Sequence, residues 1–123
     1  MIETARVYTH PDGGRGFRLL VDRLWPRGIK KDEVDLWLKE VAPSDALREW
    51  YGHEPGKWEE FKKRYFAELE GHPGEVEKIL EIESGRDVLL LYGSREERLN
   101  NATALKEYLE KRGGGQAVSR RVD

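Results

Sequence analysis

The chain has 123 residues and a formal net charge of −2, enough for one domain that buries roughly two-thirds of its unfolded surface without metal or disulfide staples. It contains no cysteine, which excludes disulfides, thiolate metal sites and thiol nucleophiles. No basic leader, no apolar leader core and no run of ~18 apolar residues occurs, so neither export nor a membrane span is expected and the cytoplasm is the default compartment.

Arg6-Val7-Tyr8-Thr9 is short and β-inclined, and His10-Pro11-Asp12-Gly13-Gly14 is a turn, so a first strand is expected before it. A second runs from Phe17 to Leu24, and its centre, Leu19-Leu20-Val21, is continuous rather than alternating, as in a strand covered on both faces. About eight residues separate the two, too few for a helical crossover, so they are either an antiparallel hairpin or not direct neighbours. From Asp32 the period becomes helical. Asp32 caps, Glu33 and Asp35 suit the first turn, Val34, Trp37, Leu38 and Val41 share a face, and Pro43 ends it.

Ser44 caps a short helix carrying Leu47, Trp50 and Tyr51, with Gly52 as its exit. Pro55 opens a third helix with the stripe Trp58, Phe61, Tyr65 and Leu69, stopped at Gly71, and a fourth spans about Pro73 to Glu83 with Val76, Ile79 and Leu80 on one side. Asp87 to Tyr92 holds a second unbroken apolar run between Gly85 and Gly93, which predicts another central strand. Ser94-Arg95-Glu96-Glu97 matches a capping box, so a last helix is expected to start there, continue through Leu99, Ala102, Leu105 and Leu109, and stop at Gly113-Gly114-Gly115. The tail from Gln116 to Asp123 then adds an edge strand through Ala117-Val118 or stays loose.

This order predicts a single α/β domain, with a small, mostly parallel sheet of about three or four strands flanked by helices. Ligands in such sheets bind beyond the carboxyl ends of the strands. Two loops qualify, Asp22 to Lys31 and Gly93 to Glu97. Charged residues make up 37% of the chain, with one methionine and one glutamine, the profile of heat-adapted proteins, so a thermophilic source is expected. Between Arg15 and Lys31, the cations Arg15, Arg18, Arg23, Arg27, Lys30 and Lys31 face Asp22 alone. Such a block attracts anions or serves as a solvated loop.

Val21-Asp22-Arg23-Leu24-Trp25-Pro26-Arg27-Gly28, then Leu36-Trp37-Leu38-Lys39-Glu40-Val41-Ala42-Pro43-Ser44, then Trp50-Tyr51-Gly52-His53-Glu54-Pro55 with Trp58-Glu59-Glu60-Phe61, resemble the YeaO-like branch of the domain of unknown function 488 family. The resemblance covers roughly Arg6 to Leu109 and implies a strand ending in an Asp-containing loop and a later strand leading into a helix. It implies no particular reaction. Where wider members show Cys-His-Arg on the last helix, and YeaO-like ones Asn-His-Ala, this chain has Asn100-Asn101-Ala102. Thiol and imidazole are both missing there.

The leading reading is a small anionic or phosphate-bearing ligand bound in a crevice formed by Asp22, Arg23, Trp25, Arg27, Ser94 and Arg95, with Arg27 as an arginine fork. Against it stand an Asp22 salt bridge to Arg27 or Arg64, and Trp25 serving only to cap the core. The enzymatic alternative is a hydrolase or transferase in the same pocket, with Asp22 or His53 as base and Ser94 or Tyr92 as hydroxyl partner. A third reading is nucleic-acid contact through residues 15–31. Trp37, Trp50, Trp58, Phe61 and Tyr65 fall at helical spacing and read as core. His53 sits in a turn where a helix-capping role competes with acid–base chemistry. Asp12-Gly13-Gly14-Arg15-Gly16 precedes a strand and lacks the Lys-Ser/Thr of a phosphate loop. No metal site and no cofactor are expected, and no membrane partner; the oligomeric state is left open.

Overall fold

In the computed structural model, which describes residues 1–9 and 16–122 with side chains as far as 113, the two unbroken apolar runs lie side by side. Strands β1 (Ile2–Arg6), β2 (Phe17–Leu20), β3 (Leu36–Trp37) and β4 (Val88–Tyr92) are ordered β1-β4-β2-β3, and every pairing is parallel. Leu19 lies opposite Leu90 and Leu20 opposite Leu91, all four fully buried. β4 separates β1 from β2, so these two are not direct neighbours. Residues 10–15 of their connection, which hold the expected turn and most of the Gly-rich loop, lie outside the described residues.

Strand residues alternate between two cores. Leu19, Val21, Val88, Leu90 and Tyr92 join the cluster beneath the helices, whereas Leu20, Leu89 and Leu91 join Val7 on the opposite face. This is why both strands read as continuous apolar runs. Helices α1 (Asp45–Tyr51), α2 (Trp58–Leu69), α3 (Pro73–Gly85) and α4 (Asn101–Val122) all contribute to the first cluster.

α1 starts and stops as the sequence predicts. The Ser44 hydroxyl accepts from the Leu47 amide at 3.2 Å, and Gly52 closes the helix in the left-handed region at φ 52°. Glu68 on α2 accepts from the Ser44 amide at 2.8 Å and from its hydroxyl at 2.6 Å, joining the two helices. Pro55–Lys57 forms a 3-10 turn that leads into α2, whose Phe61, Tyr65 and Leu69 are buried. The Tyr65 hydroxyl donates to the Val41 carbonyl.

Four expected elements form differently. The first strand lies earlier than Arg6 to Thr9, at Ile2–Arg6, because Ile2 is the buried residue that pairs with Val88. The second ends near Val21, whose amide makes a last bond to the Leu91 carbonyl at 3.1 Å, rather than at Leu24. Residues 32–43 are not a helix but a 3-10 turn (Lys31–Glu33), then β3, then a second 3-10 turn (Lys39–Val41). Arg18 draws this segment along β2, donating from its backbone amide (2.8 Å), Nε (3.2 Å) and Nη2 (3.0 Å) to the Asp35 carboxylate.

The capping box at Ser94 is unused as well. Glu96 instead accepts from the Arg98 and Leu99 amides at 2.9 and 3.1 Å, and α4 begins after Asn100, whose Oδ1 accepts from the Thr103 amide at 2.9 Å. α4 then runs through Gly113-Gly114-Gly115 to Val122, where the sequence predicts an exit and an edge strand or loose tail. Interior glycine costs a helix only about 0.5–1 kcal/mol. A Cβ at Gly113 would meet Leu80 Cδ2 at 3.3 Å, so glycine there lets α4 lie close on α3. No described helix is long and apolar enough to cross a membrane.

Candidate functional site

β2 and β4 end side by side, and the segments leaving the two strands are tied together by Asp22. Asp22 Oδ2 accepts from the Gly93 amide at 2.8 Å, and Oδ1 accepts from the Asn101 side-chain amide at 3.1 Å. Asn101 Nδ2 also donates to the Val21 carbonyl at 3.1 Å. A Cβ at position 93 would stand 3.1 Å from Asp22 Oδ2, so glycine brings the backbone close enough to donate. Burial pushes the Asp22 carboxyl above its ordinary pKa; the hydrogen bonds from Asn101 and Gly93 and the charge of Arg48 offset only part of this.

Arg23, the next residue, reaches the segment that leads into α1. Its guanidinium donates to the carbonyls of Ala42 at 3.3 Å and Pro43 at 3.4 Å, and its Nε lies 3.7 Å from Asp45. Between these groups a cavity of about 360 Å³ opens, lined by Asp22, Arg23, Arg48, His53, Ser94 and Asn101, with Tyr51 and Phe61 supplying apolar wall. Of the residues singled out from the sequence, the structure brings Asp22, Arg23, His53 and Ser94 together.

Trp25, Arg27 and Arg95 stand outside this cavity. Trp25 packs on the opposite core cluster, its indole N–H donating to the Ile29 carbonyl at 2.8 Å. Arg27 is exposed, and among the described residues only its carbonyl is engaged, accepting from the Tyr8 hydroxyl at 2.9 Å. Neither alternative partner for Asp22 reaches it: Arg64 pairs with Glu60 at 2.9 Å and lies 4.2 Å over the Trp50 ring. Tyr92 is buried beneath the helices and does not line the cavity.

Arg48, Glu49, Tyr51 and Asn101 are lining residues that sequence reasoning overlooked. Arg48 precedes Tyr51 by three positions and so shares its side of α1. That spacing was the available signal. Asn101 stood out only as a position lacking a histidine.

The hydroxyl groups of the cavity are already committed. Ser94 Oγ donates to the Glu96 carbonyl at 3.3 Å, and the Tyr51 hydroxyl donates to the Leu99 carbonyl at 2.8 Å. His53 is exposed, in the left-handed region at φ 57°, with its ring centroid 5.6 Å from that of Tyr51. No nucleophile–base hydrogen bond forms among the described lining residues. Among the described residues the Arg48 guanidinium has one ion-pair neighbour, Asp45, at a long 3.7 Å. Among them, too, no group of three His, Cys, Asp or Glu gathers to hold a metal ion.

Comparison with known proteins places the chain by sequence. A family model described as the inactive DUF488-N3 subclade matches residues 1–120. The chain is 38% identical to the uncharacterised protein YeaO of Escherichia coli over 110 residues, 88% of this chain and 96% of that protein. It is 53% identical over 70 residues to uncharacterised proteins of Mycobacterium tuberculosis and Mycobacterium bovis, 55% of this chain and 59% of theirs. The match thus spans about three-fifths of the mycobacterial relatives. No solved structure matches.

Proposed function

The chain belongs to the DUF488 family, in the subclade described as inactive DUF488-N3, and from that premise we propose that it binds a small anionic ligand at the carboxyl ends of β2 and β4 without transforming it. One observation carries the reading: Arg48 faces the cavity with its guanidinium almost unspent, while the neighbouring hydroxyls donate to backbone carbonyls. Arg23, fixed by the Ala42 and Pro43 carbonyls, adds positive charge at the rim. The α4 N-terminus already has the Asp22 carboxylate beside it, so the anion belongs at the arginines and not on the helix end.

A hydrolase or transferase would need Asp22 or His53 within reach of Ser94 or Tyr92. Ser94 Oγ bonds the Glu96 carbonyl instead, and both Asp22 oxygens hold internal donors. The entry to the last helix, Asn100-Asn101-Ala102, also lacks thiol and imidazole. These observations, and the subclade's description, favour binding over turnover.

Titration calorimetry with inorganic phosphate at low ionic strength tests it. Arg48→Ala should weaken binding about tenfold or more, the scale of one lost charge-assisted hydrogen bond. Unchanged affinity in that variant overturns the assignment.

A further inference from the structure

A second cavity, of about 740 Å³, lies on the opposite side of the sheet from the helices. The sequence places its two tryptophans in different roles, Trp25 beside a charged turn and Trp37 in a helical core. The structure sets them together: because residues 36–37 form β3, the Trp37 ring comes 5.5 Å from that of Trp25, at an interplanar angle of 72°. Each ring is fixed by its own N–H, Trp25 bonded to the Ile29 carbonyl at 2.8 Å and Trp37 to the Asp22 carbonyl at 2.7 Å. With their single donors spent internally, what these half-buried indoles offer a ligand is aromatic surface.

The charges around this cleft are unequal. Asp35 lines it but is held by three donors of Arg18. Lys30 and Lys31 line it too, and Arg27 lies on the same connecting loop. None of these three cations has an ion-pair partner among the described residues. Lys39 sits 5.6 Å over the Trp37 ring. Of the basic block between Arg15 and Lys31, Arg18 and Arg23 are engaged internally and Arg15 lies outside the described residues. Among the described residues of that block, the cations left over are therefore Arg27, Lys30 and Lys31, on the loop that carries Trp25.

We infer that this cleft binds a nucleobase carrying a phosphate, the base against Trp25 and Trp37 and the phosphate on Lys30 and Lys31. Flat apolar walls next to unpaired ammonium groups complement a planar ring bearing an anion, and the volume falls within the range of small-ligand pockets. An uncharged apolar segment would leave the lysines without a partner, whereas inorganic phosphate alone would leave the indoles without one. The source of the base, a free nucleotide or an exposed base in a single strand, is separable by experiment.

The test is intrinsic tryptophan fluorescence and calorimetry of the full chain with adenosine monophosphate, adenosine, inorganic phosphate and a single-stranded oligonucleotide, at low and high salt. Adenosine monophosphate should bind more tightly than adenosine or phosphate. Lys30→Ala with Lys31→Ala, two solvent-accessible positions whose change does not threaten folding, should remove most of that advantage and leave adenosine binding unaltered. Trp25→Ala should weaken both nucleoside and nucleotide by about 5- to 150-fold, the loss typical of one stacked base. Trp25→Phe, which keeps a ring, should restore part of it if the alanine variant fails to fold.

An oligonucleotide that binds more tightly than the mononucleotide, with steep salt dependence, identifies a strand; equal affinities identify a free nucleotide. Absence of binding by either at millimolar concentration overturns the inference. So does nucleotide binding lost in Arg48→Ala but kept in the double-lysine variant, which would move the ligand to the first cavity. Concentration-dependent dimers abolished by Leu24→Ser, an exposed apolar residue next to Trp25 in the chain, with no nucleotide effect, would make this face a contact between two copies and equally overturn it.

Discussion

The two faces of the sheet are covered by different means. Beneath the helices, a cluster running from Ile2 to Leu109 draws on all four helices, with Phe61 stacked on Tyr51 at 4.4 Å and on Trp58 at 5.6 Å. On the other face, Leu20, Leu89, Leu91 and Val7 are covered by half-buried side chains, Trp25, Ile29, Val34 and Trp37, carried on an irregular segment. Its order comes from bonds to the backbone, such as Lys30 N–H to the Glu33 carboxylate at 2.8 Å and the two indole bonds. The difference separates two jobs: packed helices supply most of the apolar burial, and the thinner cover leaves shaped surface at its margins. Asp22 belongs to both, its carboxylate holding the first cavity and its carbonyl holding Trp37.

The sharpest way to break this comparison is to truncate one apolar side chain on each face. Phe61→Ala, at a site 2% exposed, should cost about 3–5 kcal/mol in urea unfolding. Ile29→Ala, only partly buried on the opposite face, should cost about 1 kcal/mol, the value of partial apolar burial. Equal losses would show that the irregular cover is as integral to the core as α2.

Between these lies Asp22→Ala. It leaves the buried end of β4 with an unpaired Gly93 amide and frees the Asn101 side chain, a loss of about 1–3 kcal/mol. Relief of the buried carboxylate, whose pKa burial has raised, should hold the cost toward the lower part of that range. Hydrogen exchange at the Gly93 amide is the direct readout. Faster exchange confined to the ends of β2 and β4 fits a tie between strand ends, whereas uniform acceleration would make Asp22 a general core residue.

The same division explains what could be read without coordinates. The helix-side elements announce themselves: Ser44 and Gly52 bound α1, Pro73 opens α3, and the stripe Phe61, Tyr65, Leu69 repeats at helical spacing. The strand after α3 is legible because it is buried on both faces. β3 is not, since two residues are too few to show alternation and Val34, Trp37, Leu38 and Val41 fit a helical face equally well. Contacts distant in sequence decided it, Asp35 to Arg18 and the Leu38 amide to the Leu20 carbonyl at 3.1 Å. At the site, Asp22 was visible as a charge ending an apolar run. Arg48 was not, because an arginine on a short helix reads as solvent-facing until Tyr51 beside it is seen to wall a cavity.

The smallest effect concerns the contact that replaced the expected helix. The Arg18 fork holds the Asp35 carboxyl below its ordinary pKa, chiefly by side-chain hydrogen bonding. A carboxyl whose pKa is lower in the folded than in the unfolded chain contributes stability above the ordinary carboxylate range, near pH 4, and loses it as pH falls through the lowered value. Asp35→Asn should therefore be less stable than the parent at pH 7, by no more than about 1 kcal/mol because the pair is solvent-accessible. That gap should close on acidification below about pH 4 and narrow in high salt. Asp22 works in the opposite sense: its raised pKa means that proton uptake on acidification favours the folded state. A gap that survives at low pH would assign the cost of Asp35→Asn to lost backbone bonding at Arg18 instead of charge, and β3 would then be held by geometry alone.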